Sequence, residues 1–143
     1  MKCCDKCGAR LEGRWEGLTP GIVRTLIKIW TRVIELDRNE IHLQRDLDLD
    51  NNAYNNAQKL RFFALIAHVA DKPGYWLITH RGSEFIHDRQ RVNKQVKIFR
   101  NHIQERSTEM VGILDVLKCG ERTWPVREDF ITATEPVQER LWA

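Results

Sequence analysis

No run of apolar residues in this chain approaches the roughly 20 that cross a bilayer. The opening Met1-Lys2-Cys3-Cys4-Asp5 lacks the apolar core of a secretory signal. The expectation is a cytoplasmic protein with no membrane partner. Internal repeats and low-complexity tracts are missing too, which argues against solenoids and biased linkers. There is no GxxxxGKS or GxxxxGKT, no HExxH and no GxSxG. His80 lies four residues before Glu84 and could share a helix face with it or with His87. Such pairs are usually surface contacts, and no base is visibly positioned to activate a cysteine. The chain is therefore expected not to be an enzyme.

A strong charge of one sign is absent as well. The net charge is +3, far from that of a strongly basic protein. Its distribution is uneven: residues 119–143 hold a balance of −2, which leaves +5 for the rest. That asymmetry fits a nucleic-acid footprint and an ordinary solvated surface equally well. The 143 residues, 42% of them hydrophobic and 30% charged, suit one globular domain with a small appendage. A core of that size needs no disulfides.

Thr19-Pro20 opens the first clear helix, because Thr caps well and Pro is favoured at the first helical position. Ile22, Leu26, Ile29, Trp30, Val33 and Ile34 follow at helical spacing to about Leu36. Asn39 suits the cap of a short helix over Glu40–Leu47, with Leu43 and Leu47 on one face. Asp48-Leu49-Asp50 makes a turn, and Asp50 or Asn51 caps a third helix reaching about Arg61. Ala53, Ala57 and Leu60 should pack inward, while Asn51, Asn55 and Gln58 project outward beside Asn52 and Lys59. From Phe62 an apolar strand runs to Ala70, and Lys72-Pro73-Gly74 supplies a type II turn into Tyr75–Ile78. Thr79 caps a helix over 80–86. Val96–Phe99 alternates like a strand, although Val92, Val96, Phe99 and Ile103 also fit a helix. Met110–Leu117 is apolar and of undecided type, and the chain beyond Cys119-Gly120 is expected to pack loosely, anchored by Trp124 and Phe130.

The phrases IHLQRDL, YNNAQKLRFFALI and DKPGYWLITHRGSEFI carry a resemblance. The stretch Val33–Ile86 is similar to winged helix-turn-helix domains, and in particular resembles small phage and prophage proteins that join an N-terminal cysteine knuckle to such a domain. The resemblance implies an α+β fold: a cysteine-knuckle segment over 1–18, a winged helix-turn-helix over 19–106 and a C-terminal extension over 107–143. The likeness is stronger for fold than for function, since this fold also serves as a protein-binding module.

Cysteine is scarce: there are four, with one CxxCG knuckle, Cys4-Asp5-Lys6-Cys7-Gly8. Two thiolates at this spacing can share one ion, but a structural zinc site takes four ligands. Cys119 with Cys3, or with one of His42, His68, His80, His87 and His102, could complete the set. A site shared between two chains, or free thiols, remain open alternatives.

The leading expectation is a non-enzymatic DNA-binding protein, a transcriptional regulator of a phage or mobile element. Asn51, Asn52, Asn55, Gln58 and Lys59 would face the major groove of double-stranded DNA, where amide side chains can pair with adenine and lysine with guanine or phosphate. Lys72 on the wing, with Arg81, Arg89 and Arg91, would neutralise phosphates. The alternative is a protein-interaction module acting on a host defence or replication complex, which the modest charge and acidic end favour. A homodimer is a third expectation, because paired half-sites add specificity.

Overall fold

The computed structural model describes residues 13–127, which form a mixed α+β fold. The first helix, α1 (Pro20–Leu36), begins where the Thr19 hydroxyl accepts the Ile22 N–H at 3.3 Å. Its apolar stripe buries Ile22, Val23, Leu26, Ile29, Trp30 and Val33. At roughly 1.5–3 kcal/mol for each large apolar side chain, this stripe is the main organiser of the core. The helix ends at Asp37, which takes a left-handed conformation with φ 53° and gives its N–H to Ile34.

The helix expected over Glu40–Leu47 is absent. Ile41–His42 is instead a two-residue strand (β2; β1, Arg14–Gly17, precedes α1), and residues 43–46 make a hydrogen-bonded turn. The reason lies in Asn39, which caps no helix. Its side chain donates to the Ile78 carbonyl and accepts the Ile78 N–H at 3.1 and 3.0 Å, as a neighbouring strand would. Ile41 and Leu43, two residues apart, are both buried, a strand's period rather than a helix's. The Asp46 carboxylate then accepts the His42 N–H and closes the turn.

Asp50 caps α2 (Asn51–Lys59) by accepting the Ala53 N–H at 2.8 Å. A 3-10 turn over Leu60–Phe63 follows, so the apolar run begins as a helical turn and becomes β3 only at Ile66–His68. The return strand is β4 (Tyr75–Ile78). Between them Tyr75 N–H reaches the Lys72 carbonyl, with Gly74 at φ +83°, the geometry the Pro-Gly pair prescribes. The antiparallel sheet has the order β2-β4-β3. Thr79 caps α3 (His80–Ile86) and also donates its hydroxyl to the Ala64 carbonyl at 2.6 Å. Gly82 presses against the Leu65 carbonyl, where a Cβ would overlap it.

A second antiparallel sheet, β1-β6-β7, joins Arg14–Gly17 to Gln95–Phe99 (β6) and His102–Arg106 (β7). The strand expected over Val96–Phe99 is present as β6, with partners on both sides, so the helical spacing of Val92, Val96, Phe99 and Ile103 is not used. β5 (Val92–Asn93) pairs with β8 (Met110–Val111), and α4 (Ile113–Leu117) packs on α1. Packing is continuous across residues 18/19 and 106/107, since Leu18, Val96, Ile113 and Val116 share one core.

Between α4 and Arg127 the chain is mostly exposed and is anchored by Trp124, as expected for that residue. Trp124 is buried and gives its indole N–H to the Ile86 carbonyl at 3.0 Å. The Trp30 indole N–H donates to the Pro125 carbonyl, and the Arg127 N–H donates to the ring of buried His87. Phe130 lies outside the described residues. No helix among the described residues is long and apolar enough to cross a membrane.

Candidate nucleic-acid interface

α2 presents the amides together. Asn51, Asn52 and Asn55 are exposed, while Gln58 and Lys59 are half-buried toward its C-terminal end. Ala57 and Leu60 turn inward, and Ala53 is half-buried. The amide face was legible because helical period and an Asp cap together fix which residues point outward.

The cations have partners the sequence did not reveal. Lys59 lies 3.9 Å from Glu16 on β1, which draws it toward the second sheet. Lys72 meets Glu40 at 2.6 Å, and that hydrogen bond raises its ammonium above the ordinary lysine range. Arg89 grips Glu84 with two hydrogen bonds of 2.8 and 3.1 Å, which hold the Glu84 carboxyl below its usual range. Arg91 stands 3.7 Å from Asp115 on α4. Arg81, half-buried in the first turn of α3, makes no ion pair among the described residues. The structure therefore gathers the amides but pairs Arg89 and Arg91 with acids on α3 and α4.

Two residues missed in the sequence stand beside Lys72. Tyr75 on β4 lies under both the Lys72 ammonium, 5.6 Å from the ring centre, and the Arg45 guanidinium, at 5.5 Å. His42 meets the same ring edge-on at 5.2 Å. On β4 Tyr75 is half-buried while Trp76 is buried, and the turn after β2 delivers Arg45. The β2–β4 pairing brings His42 and Arg45 to Tyr75, so the sequence carried no local signal for those two. Nearby, burial lowers the affinity of Arg61 and His68 for their protons, with Arg61 adding to the effect on His68. His68 stacks on Trp76 at 3.5 Å.

Of the proposed metal ligands, Cys3, Cys4 and Cys7 lie outside the described residues, and Cys119 is an exposed free thiol. Among the described residues no group of three or more His, Cys, Asp or Glu side chains is placed to hold a metal. His87 is already committed: Nδ1 lies 2.7 Å from the Ser83 carbonyl, and Nε2 accepts from Arg127. Comparison with protein-family models, with curated proteins and with solved structures finds no match to this chain.

Proposed function

We propose that this protein is a non-enzymatic winged helix-turn-helix protein that binds double-stranded DNA, as a regulator of a phage or mobile element. The exposed amide face of α2 carries the reading. Asn51, Asn52 and Asn55 sit on one solvent-facing side of a helix with no packing role for them. Asn side chains bond adenine edges in two places, so this is a surface suited to the major groove. The β2-β4-β3 order, with α2 between β2 and β3, supports a wing beside that helix. A tight turn stands where the fold's second helix is expected. Lys72, Arg45 and Tyr75 would meet the backbone, Lys72 by exchanging Glu40 for phosphate.

One observation favours the protein-partner reading. Of the five cations expected on DNA, four, Lys59, Lys72, Arg89 and Arg91, already face carboxylates. DNA must compete with those pairs, whereas a mixed-charge protein surface need not.

Fluorescence anisotropy with random-sequence duplex, at low and near-physiological salt, separates the two. DNA binding predicts submicromolar affinity at low salt and a steep loss as salt rises. Replacing Asn51, Asn52 and Asn55 with Ala should then cost at least about tenfold on a selected site, since one good amide–base pair contributes ~1–3 kcal/mol. No binding at low salt sinks the DNA reading, and capture of a host protein becomes the next experiment.

A further inference from the structure

A groove of about 560 Å³ runs between α1 and the chain that follows α4. Ile27, Leu117, Trp124 and Pro125 give it an apolar lining. Arg24 and Lys28, one helical turn apart on exposed positions of α1, stand along it. No carboxylate among the described residues lines the groove, and neither cation makes an ion pair with a described residue. This contrasts with Lys59 on α2 and Arg89 just after α3, each of which faces a glutamate.

The far wall is fixed before any ligand arrives. The Trp124 indole is tied to the Ile86 carbonyl at 3.0 Å, and the Pro125 carbonyl to the buried Trp30 indole at 2.7 Å. Small-molecule sites are usually preformed, largely apolar clefts of roughly 300–1,000 Å³ with a few polar groups that set orientation. Size, lining and rigidity all meet that description. Two cations that make no ion pair among the described residues, beside apolar surface, suit an anion with an apolar body.

We propose that this groove binds an amphiphilic monocarboxylate, a free medium-chain acyl acid. Its carboxylate lies between Arg24 and Lys28, and its chain lies along Ile27, Leu117 and Trp124. The lining residues of α1, from Arg24 to Thr31, advance about 10 Å along the helix, which provides a bed for such a chain. The site is separate from the amide face of α2, and the proposal holds whether or not the protein binds DNA.

Calorimetric titration of the full chain with sodium decanoate, kept below its aggregation threshold, tests the site. One-to-one saturable binding is expected, with no binding of decylammonium. Arg24→Gln with Lys28→Gln leaves the buried face of α1 intact and should weaken decanoate about tenfold, the sum of two partly exposed ion pairs. The indole N–H resonance of Trp124 should shift on titration. Absence of saturable binding, equal affinity for the amine, or unchanged affinity in the double variant overturns the proposal. Binding to anionic phospholipid vesicles without decanoate binding also overturns it, by replacing the free acid with a membrane surface.

Discussion

Of the 17 residues in α1, seven are buried; of the nine in α2, only Ala57 is. The first helix is explained by what it packs against. Its apolar residues recur at helical spacing, and its ends are closed by Thr19 and Asp37. The second contains four asparagines, Asn51, Asn52, Asn55 and Asn56. Asn is among the weaker helix formers, roughly 0.6 kcal/mol behind Ala at an interior position such as that of Asn55. Nothing in the packing of Asn51, Asn52 or Asn55 offsets that cost, since all three are exposed. The difference separates residues kept for the fold from residues that need another reason.

The largest effect should come from α1. Trp30 is fully buried, donates its indole N–H to Pro125, and meets His87 edge-on at 5.2 Å. Trp30→Ala removes the ring and the hydrogen bond together, and should cost ~3–5 kcal/mol in chemical denaturation. It should also loosen the chain from Trp124 to Arg127, because Pro125 loses its anchor. A loss below about 1 kcal/mol would mean that the α1 core is not the organiser described above.

A smaller effect is expected where α2 begins. With one buried residue, α2 depends more on its cap than α1 does on Thr19. Asp50→Ala removes the acceptor for the Ala53 N–H and should cost ~1 kcal/mol, as N-cap losses typically do. Thermal melts of Asp50→Ala and Thr19→Ala give the comparison directly. Equal global losses, with no local fraying of α2 in hydrogen exchange, would erase the distinction between the two helices.

How much of this was visible in the sequence depended on distance along the chain. Thr19-Pro20, Lys72–Tyr75 and Thr79 were legible because cap and turn chemistry acts over three or four residues. β1 and β7 were not, because Arg14 finds its partner at Ile98 and the β6–β7 turn is Arg100-Asn101. Both turn residues take positive φ, 51° and 64°, without the glycine that usually marks such a hairpin. Asn39 looked like a helix cap because its true partner, Ile78, lies 39 residues away. The same rule divides the candidate site. The amides of α2 followed from local period, whereas the Lys59–Glu16 and Arg91–Asp115 contacts required the tertiary fold.

The smallest expected effect gives the most discriminating test of what α2 is for. Asn55 is exposed, and its side chain makes no hydrogen bond among the described residues. Asn55→Ala should leave stability unchanged or raise it by up to ~0.5 kcal/mol, because Ala is the better helix former and no contact is lost. A stabilising change at a site that also weakens DNA binding is the pattern of a residue retained for recognition at the expense of the helix. A fall of more than about 1 kcal/mol would assign Asn55 a structural role and remove the contrast with α1. Measured beside Trp30→Ala, it puts opposite signs on two helices of one fold, as burial at Trp30 and exposure at Asn55 require.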